Sequence, residues 1–513
     1  MKEMHSIVIA DAYRDSVFLM RLSDQAREAS GADYVSAIMA TRRNKELLGY
    51  SGLLTDEIEA ARADDLIVIV DARRELLPKA KQAVLDLLNR SMSGSDAPAE
   101  GLPPKSLDKA VERLPDANLA VITVAGEYAR YEAAQALSSG LDVFLYSDDI
   151  SIEDELALKR LAWRKNLLLM GPNCGTAIVH DIPLGFANKV RQGPLGLVAT
   201  TGTGIQEVGC LLDRCGLGIS DAYGVGVRDA DDRIGGLSIK TALRRLSDDA
   251  DTQFIIVLAQ FPGPATRRDL AKLYPELGKP VLVRYFGVED YALEDAAGIL
   301  HADSLTRVVT ATVERIASIL DTSELAQPDG ADLRTAGLAG GMVRGIFSGG
   351  ILCYEAMEQA LPILGGNVHS NIRTDATAYL LGSQPSVGHS FLDMGSGEFT
   401  IGHPHPMLYP QDKLARIIAE LCDPEVSVVL TDVVLGYGVT RNYAAELVKA
   451  VDKAAALTRG KSREKAVVVN VVGTESDQPG RSAEISLLRK SGIVVLGNNA
   501  QAAVFAANLV KGS

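Results

Sequence analysis

An internal repeat is the feature that most constrains what this chain can fold into. The segment GPLGLVATTGTGIQEV at 193–208 has the pattern of a strand, a turn of small residues and a helix start, and VRGIFSGGILCYEAM at 343–357 repeats it, with Thr201 matching Ser348. Strand–helix units resemble one another in general, yet further matches in the same order favour a duplicated domain. These matches pair 223–229 with 392–398, 254–259 with 426–431, and 279–283 with 465–469.

Short runs of β-branched residues alternate with helical stretches along nearly the whole chain. Near-continuous apolar strands between amphipathic helices are typical of a parallel sheet that helices cover on both faces, so we predict a doubly wound α/β fold. Two segments rich in small residues and proline, 91–104 and 323–336, are predicted linkers. The predicted domains are a small N-terminal α/β module with its linker at 1–115, a Rossmann-like domain at 116–190, and two flavodoxin-like domains at 191–325 and 335–511.

The charge balance excludes some classes of partner. Lys and Arg total 52 against 66 Asp and Glu, a net charge of −14, whereas nucleic acids and anionic membranes require a basic surface. We therefore expect neither nucleic acid nor membrane as a partner, while a few local donors are enough to bind small anions. The five cysteines lack CxxC spacing and no stretch is apolar enough for a signal or spanning segment, so a cytoplasmic protein is expected.

Two turns of small residues carry the candidate binding chemistry. Each turn leads from the first strand of a repeat into a helix, where free backbone N–H groups and the positive end of the helix dipole favour an anion. Ordinary N-cap chemistry also explains a single turn of this kind, but two turns at equivalent places in a duplicated domain favour one shared phosphate or carboxylate. The predicted anion-binding residues are Thr201, Gly202, Thr203, Gly204, Ser348, Gly349 and Gly350.

Other polar residues follow predicted strands. Arg228 and Asp229 come after Gly226 at a strand end, where open α/β sheets bind ligands, and we predict a catalytic pair in which Arg228 holds an anionic or carbonyl group. The alternative is a surface ion pair. Asn173 and Cys174 lie in the turn GPNCG and are predicted to support the site. Because no histidine lies near Cys174 in sequence, packing is a better interpretation of this thiol than nucleophilic catalysis.

A further glycine-rich turn, GSG at 395–397, precedes the closely spaced histidines His403 and His405. Two histidines at i and i+2 in an extended segment suit a metal ion, but the segment lacks the cysteine or acidic residues that would complete a usual ligand set. We therefore predict no metal site here. The residues expected to support the loop or the ligand are Gly226, Gly395, Ser396, Gly397 and His405.

The matched segments resemble the succinyl-CoA synthetase superfamily, the NDP-forming acyl-CoA ligases. The stretch ending in GPNCGTAI is similar to half of a CoA-binding domain, GPLGLVATTGTGIQE and YGVGVRDADDRIGG to the first ligase domain, and FLDMGSGEFTIG with DPEVSVVLTDVVLGYG to the second. The resemblance implies a Rossmann-like domain of CoA-binding type followed by two flavodoxin-like ligase-type domains. In that superfamily both ligase domains present a helix N-terminus to one phosphohistidine.

Two features depart from the superfamily pattern. The first turn, at 11–16, contains no glycine where a glycine-rich turn would hold the pyrophosphate of CoA, so the sequence requires no cofactor and does not support a need for CoA. Asp295 stands where the phosphohistidine is expected, and His301 lies six residues further on. The N-terminal half also lacks a phosphate-binding G-x-x-x-x-G-K-[ST] motif, so self-contained nucleotide hydrolysis is not predicted.

A branch of this superfamily, the FdrA family, shares these departures. The chain resembles it over its whole length, in GPNCGTAI, FANKV, ATTGTGIQE, GVGVRDADDRIGG, VRGIFSGGILCYEA and FTIGHPHPM. The resemblance implies a subunit of the oxamate carbamoyltransferase of anaerobic allantoin breakdown, which interconverts oxalurate plus phosphate with oxamate plus carbamoyl phosphate. It also implies two unrelated partner subunits in a hetero-oligomer, and we expect self-association.

Three functions are consistent with these residues. In carbamoyl transfer without a covalent intermediate, the two turns hold phosphate and an aspartate such as Asp229 or Asp393 is the candidate general base. One alternative is an NDP-forming acyl-CoA synthetase that uses His301 or His405 as its phosphate carrier. The other alternative is a scaffold subunit that organises its partners without chemistry of its own.

Overall fold

The computed structural model falls into two compact units, one comprising Met1–Pro104 with Ile401–Pro404 and the other Lys105–Thr400 with His405–Ser513. It describes residues 2–12, 14, 16–32, 34–41, 44–45, 48, 54–73, 75–93, 104–316, 340–382, 384–400, 404–458 and 465–511. The predicted linker at 323–336 lies outside the described residues. Of the predicted linker at 91–104, residues 91–93 end a helix and 94–103 also lie outside them.

The first unit is built on an antiparallel sheet whose central strand is buried on both faces. Its elements are β1 (Lys2–Ile9), α1 (Ser16–Ser30), β2 (Tyr34–Met39), α2 (Asp56–Ala60), β3 (Leu66–Arg73) and α3 (Leu77–Ser93). The strand order is β1-β3-β2. Val68 and Val70 pack with α1 and α3, while Ile67 and Ile69 pack with Ile58 of α2, so the LIVIV run needs cover on each side.

The second unit begins with a small parallel sheet in the order β4-β5-β6, with the strand–helix alternation of a Rossmann-like domain. Its elements are α4 (Leu107–Arg113), β4 (Leu119–Ile122), α5 (Gly126–Ser138), β5 (Asp142–Leu145), α6 (Ile152–Arg164) and β6 (Leu169–Met170). The turn GPNCG follows β6 and leads to the next sheet.

The second sheet of this unit has seven strands and a flavodoxin-like core. Read from β10, its parallel strands run in the order β10-β9-β11-β12-β13, which is the 2-1-3-4-5 order of flavodoxin-like folds. A β7–β8 hairpin pairs with β10 at one edge. The strands are β7 (Thr176–Val179), β8 (Ile182–Gly185), β9 (Gln192–Ala199), β10 (Ile219–Gly224), β11 (Phe254–Gln260), β12 (Val281–Phe286) and β13 (Leu300–His301). The helices are α7 (Gly202–Arg214), α8 (Leu237–Asp248), α9 (Pro264–Leu273), α10 (Ala292–Ala296) and α11 (Leu305–Ile316).

The third sheet repeats this design. Its order is β16-β15-β17-β14-β18-β19-β20, so the first strand is again central, with three strands on each side. The strands are β14 (Met342–Phe347), β15 (Val368–Ser370), β16 (Ala378–Tyr379), β17 (His389–Asp393), β18 (Val426–Val434), β19 (Ala466–Val472) and β20 (Val494–Leu496). The helices are α12 (Gly350–Leu364), α13 (Gly397–Thr400), α14 (Gln411–Cys422), α15 (Tyr443–Thr458), α16 (Arg481–Lys490) and α17 (Asn499–Lys511).

The predicted fold class and the internal repeat are confirmed by these topologies, with one correction of register. Strands β9 and β14 end at Ala199 and Phe347, and the following helices begin at Gly202 and Gly350, so the two domains are related by an offset of 148 positions. Thr201 is therefore equivalent to Gly349 and not to Ser348. The sequence alignment is shifted by one residue because two adjacent threonines precede α7, and either one resembles the single serine before α12.

Two buried glutamates join the repeated domains by a reciprocal exchange. Glu207 of α7 accepts a hydrogen bond from the backbone N–H of Asn499, 3.1 Å away at the start of α17, the last helix of the second domain. Glu355 of α12 accepts one from the N–H of Leu305, 2.7 Å away at the start of α11, the last helix of the first domain. Each carboxyl group satisfies an N–H that has no partner within its own helix. The last helix of each domain is thus capped by the other domain.

The described residues contain no helix that is both long enough and apolar enough to cross a membrane.

Replacing Glu355 by alanine tests this exchange. The variant leaves two buried N–H groups unpaired, the backbone N–H of Leu305 and one N–H of the Asn499 side-chain amide, whose nitrogen lies 2.8 Å from Glu355 Oε2 and keeps its bond to the Leu352 carbonyl oxygen. We expect a loss of about 2–4 kcal/mol in the free energy of unfolding, measured by urea titration with circular dichroism. The control is Glu446→Ala, which removes a surface pair with Lys449 and should change stability by less than about 1 kcal/mol. Equal midpoints for the two variants would contradict the capping role.

Candidate active site

The two predicted anion-binding turns meet at the start of α7 and α12. Among these described residues, neither N-cap, Thr201 nor Gly349, caps its helix with a side chain, so the first-turn N–H groups remain open to a ligand. A Cβ atom on Gly349 would lie 2.4 Å from Thr203 Cγ2 and 2.8 Å from Thr203 Oγ1. Any larger residue at Gly349 would push the helix starts apart. Both positive dipole ends therefore act on the same small space.

Two polar side chains face the start of α12. A Cβ atom on Gly350 would lie 3.1 Å from Asp393 Oδ2 and 3.4 Å from Gln260 Nε2. Asp393 ends β17 and Gln260 ends β11, so the carboxyl ends of strands from both repeated domains deliver these groups. Ligands of open α/β sheets collect at such strand ends.

The pKa of the Asp393 carboxyl group lies near neutral pH. Burial, helped by the negative charge of Asp432, raises the pKa of Asp393 to about 7, although the Gly395 N–H donates to its Oδ1 at 2.9 Å. Asn371 fixes the backbone of Asp393 from both sides, accepting from its N–H and donating to its carbonyl oxygen. A carboxyl group with this pKa exchanges protons in both directions at physiological pH.

His405 lies beside the same groups as a neutral imidazole. A Cβ atom on Gly395 would lie 2.8 Å from His405 Nε2 and 2.5 Å from the carbonyl oxygen of Ser348, which places the ring against the site. Burial lowers the pKa of His405 to about 4. The Met407 N–H donates to Nδ1 at 3.3 Å, so the neutral ring carries its proton on Nε2. The predicted turn at 395–397 and His405 are thus brought together with the helix starts.

Ser348 is part of the support of the site and is not a free nucleophile. Its hydroxyl donates to Asp432 Oδ1 at 2.7 Å and accepts from Lys413 Nζ at 2.8 Å, and its N–H donates to Asp432 Oδ2 at 2.8 Å. Lys413 and Asp432 also form a direct ion pair, and both are fully buried. Burial alone would lower the pKa of Lys413, but the Asp432 charge outweighs it and the pKa is raised. The ammonium group therefore stays charged and holds the turn in place.

Arg228 and Asp229 take a different role from the one predicted. Asp229 is fully buried, pairs with Lys159 of α6 at 2.7 Å, and accepts from the N–H groups of Ser238 and Ile239 at the start of α8. Arg228 Nε pairs with buried Glu155 of α6 at 2.7 Å. Both side chains therefore attach the Rossmann-like domain to the next sheet. The physical reason is the proximity of α6, where buried Glu155 and Lys159 pair with each other at 2.9 Å and form one charge cluster with Arg228 and Asp229.

The turn GPNCG also contributes to the contact between the Rossmann-like domain and the next sheet. Burial raises the pKa of Cys174 to about 12, and its Sγ donates to the Gly224 carbonyl oxygen at 3.1 Å, so this thiol packs in the core. Asn173 Nδ2 lies 3.4 Å from Asp148 Oδ2. A Cβ atom on Gly226, whose φ is 83°, would lie 2.6 Å from the Pro172 carbonyl oxygen, so this close approach requires glycine.

The residues at the superfamily's phosphohistidine position lie in an exposed pair. His301 Nε2 is 3.1 Å from Asp295 Oδ1, and the side chains are 36% and 65% exposed. The His301 ring stacks on Tyr291 with 4.3 Å between ring centres. His301 lies on β13 at the edge of its sheet, whereas His405 lies beside the helix starts.

Three members of the site were missed by the sequence analysis: Gln260, Lys413 and Asp432. Gln260 and Asp432 come from the sheets of the two repeated domains, and Lys413 reaches Asp432 from α14, a helix of the second repeated domain. A signal for Asp432 does exist, because a charged residue in the middle of the apolar run VSVVLTDVV must have a buried partner. The spacing of residues in the sequence does not identify that partner as Lys413.

Comparison with known proteins agrees with this architecture. Residues 346–509 match the family model "CoA-ligase", and residues 1–102 match the model "AllF, heavy metal-associated domain". Uncharacterized protein YahF of Escherichia coli (strain K12) is 35% identical over 98% of this chain and 98% of its own length. The succinate–CoA ligase [ADP-forming] subunit alpha of Aquifex aeolicus (strain VF5) is 26% identical over 37% of this chain, and the match spans 63% of that subunit.

Among solved structures, the dinucleotide-forming acetyl-coenzyme A synthetase 1 of Ca. Korarchaeum cryptofilum, in complex with phosphate and ADP, aligns with 76% of this chain and 82% of its own. The identity is 16% and the TM-score is 0.32.

Two ligase-type domains that share one site at their helix starts define a protein related to the succinyl-CoA synthetases. The whole-length relationship is more specific. The chain belongs to the FdrA family within that superfamily.

The residues do not fit the metal that one matched model implies. Residues 1–102 contain no cysteine and a single histidine, His5, whereas heavy metals are soft ions that prefer thiolate ligands. The described part of the chain also holds no group of three His, Cys, Asp or Glu residues placed around a common point. No catalytic step is therefore derived through a metal ion.

The Rossmann-like domain does not fit the phosphates of CoA either. At the start of α5 the carbonyl oxygens of Asp148 and Asp149 lie 2.3 and 2.6 Å from where a Cβ atom of Gly126 would stand. The start of α6 is capped by Ser151 and carries three acidic residues in its first turn. Phosphate groups need N–H donors and positive charge at these positions, so no step is derived through CoA.

Replacing Lys413 by methionine tests the support of the site. The variant leaves the Asp432 carboxylate buried without its ion pair, and we expect a loss of about 3–5 kcal/mol in the free energy of unfolding, measured by urea titration. Adding Asp432→Asn removes the unpaired charge while keeping an acceptor for Ser348, and should restore at least half of the loss. The control is Lys449→Met at the exposed surface. A double variant no more stable than Lys413→Met would contradict this account.

Proposed function

We propose that this chain is a subunit of an oxamate carbamoyltransferase, a cytoplasmic enzyme that interconverts oxalurate plus phosphate with oxamate plus carbamoyl phosphate. The observation that carries the proposal is the meeting of two open helix starts beside a carboxyl group whose pKa is raised to about 7. Membership of the FdrA family and the N-terminal match to a model named for AllF support this choice of reaction.

The reaction needs little from the protein beyond placement and proton transfer. An oxygen of hydrogen phosphate attacks the ureido carbonyl carbon of oxalurate, and the new C–O bond forms as the C–N bond to oxamate breaks. The leaving nitrogen takes one proton from an acid, and the proton lost by hydrogen phosphate restores that acid. A bound phosphate, hydrogen-bond donors for the carbonyl oxygen and one acid are sufficient. A covalent enzyme intermediate is not required, in agreement with the engaged hydroxyl of Ser348.

The residues of the site take these roles as follows. The first-turn N–H groups of α7 and α12 hold the phosphate, because both helix starts meet there. Gln260 Nε2 and the Nε2–H of His405 are donors for the carbonyl oxygen as negative charge develops on it. Asp393 gives its proton to the leaving nitrogen and takes one back in the reverse direction.

The proposal includes partners. We propose that two unrelated subunits assemble with this chain, that the chain also associates with itself, and that its small-molecule partners are phosphate, carbamoyl phosphate, oxamate and oxalurate. What supports this is the family relationship. No nucleic acid or membrane partner is proposed.

The direct test is formation of carbamoyl phosphate from oxalurate and phosphate by the chain co-expressed with its two partner subunits. In Gly349→Ala the added methyl group would collide with Thr203, so we expect the KM for phosphate to rise by roughly tenfold or more. Gly480→Ala, at the N-cap of α16, is the matched control and should leave this KM unchanged. An active complex whose phosphate KM is the same in both variants would contradict the placement of phosphate.

The pH dependence tests Asp393. Since the leaving nitrogen must receive a proton, kcat for carbamoyl phosphate formation should fall as the pH rises through about 7, and kcat for oxalurate formation should rise over the same range. Asp393→Asn should lower kcat by roughly 100-fold in both directions while phosphate still raises the Tm. Asp269→Asn, a change at an exposed carboxylate, is the control. Parallel pH profiles in the two directions would exclude Asp393 as the acid.

An acyl-CoA synthetase that carries phosphate on His405 is the second candidate, favoured by the position of this ring at the helix starts. It predicts an acid-labile phosphoprotein when the chain is incubated with labelled ATP and a nucleotide-binding partner, and loss of the label in His405→Asn. No label on a chain that forms carbamoyl phosphate would exclude it. A scaffold without chemistry predicts instead that millimolar phosphate and carbamoyl phosphate leave the Tm unchanged.

A further inference from the structure

A second cleft lies at the opposite end of α7 from the site already described. It has a volume of about 710 Å³, within the usual range for small-molecule sites. Its walls come from the segment before β9, the end of α7, and the connection from β19 to α16. Because α7 has 13 residues, its two ends are about 20 Å apart, so the cleft and the paired helix starts are separate.

Cationic side chains dominate one part of this cleft: Lys189, Arg191, Arg214 and Arg481. Arg191 is neutralised by Asp213, with 3.0 Å between Nε and Oδ1. Lys189 forms no ion pair within the described ranges. Arg214 donates from Nη2 to the Gly497 carbonyl oxygen at 2.8 Å, but its buried Nε finds no hydrogen-bond partner in the described part of the chain. Because Arg214 forms no direct ion pair among the described residues, the charge of its half-buried guanidinium group remains available to an anion in the cleft.

An aromatic ring stands at the edge of the same cleft. Tyr437 is 47% exposed, and its backbone N–H donates to the Ala187 carbonyl oxygen at 2.9 Å, which fixes the loop that carries the ring. A Cβ atom on the preceding Gly436 would lie 2.7 Å from the Phe186 carbonyl oxygen, so the loop is pressed against this segment. The cleft thus combines an exposed ring on a fixed backbone with positive charge and with the carboxylates of Asp181 and Glu475.

We propose that this cleft binds a nucleoside phosphate, with Lys189, Arg214 and Arg481 at the phosphates and the base against the ring of Tyr437. A flat base suits an exposed aromatic face. Lysine and arginine suit phosphate oxygens, and carboxylates accept hydrogen bonds from ribose hydroxyls. The proposal rests on the cleft alone and does not depend on the carbamoyl transfer proposed above.

Isothermal titration calorimetry of the full chain with ADP, pyrophosphate and adenosine tests the proposal. We expect ADP to bind most tightly, pyrophosphate about tenfold more weakly, and adenosine at least another tenfold more weakly, because the base and the phosphates each add affinity. Lys189→Glu should weaken ADP and pyrophosphate by roughly tenfold or more. Tyr437→Ala should weaken ADP by about fivefold and leave pyrophosphate unchanged. Both side chains are exposed, so these variants should fold.

Two further variants separate this cleft from other sites. Lys109→Glu changes the same charge at a distant exposed position and should not alter ADP binding. Gly349→Ala, which disturbs the paired helix starts, should also leave it unchanged. No binding of ADP at millimolar concentration, equal affinity for ADP and pyrophosphate, or loss of ADP binding in Gly349→Ala would each overturn the proposal.

Discussion

The reciprocal capping by Glu207 and Glu355 is the interaction on which the rest of the architecture depends. Each carboxyl group belongs to the helix that starts at the site and reaches the first residue of the other domain's last helix. Asn499 joins the two, since its N–H meets Glu207 and its side-chain amide meets Glu355. Because the glutamates lie five residues inside α7 and α12, fixing them also fixes how the two helix starts face one another.

Buried charge at the site serves two different purposes. Lys413 and Asp432 pair with each other and hydrogen-bond to Ser348. They therefore shape the turn, and neither side chain is available to a ligand. Asp393 and His405 are buried and form no direct ion pair within the described residues, and burial moves both pKa values toward the neutral forms. A chain with a net charge of −14 can therefore still hold an anion, because backbone N–H groups and neutral donors do the binding.

The fold was largely predictable from the sequence, since the order of strands, glycine-rich turns and helices repeats. The alignment of Thr201 with Ser348 was one residue off, because adjacent hydroxyl residues are interchangeable in a sequence comparison. The site was predictable only at its helix starts. Asp229 pairs with Lys159 of α6, which lies 70 positions upstream, and the local sequence does not indicate that α6 is its neighbour. Lys413 and Gln260 were missed for the same reason, because chain topology alone brings them to the site.

Carrying both copies of the ligase-type domain in one chain has a consequence for how the site assembles. Two helix starts on separate subunits would come together only as often as their concentrations allow, and dilution would take the site apart. Here the partner of α7 is covalently attached, so the encounter is intramolecular and its equilibrium does not change with the amount of protein. Occupancy of the paired helix starts should therefore reflect the anion concentration alone.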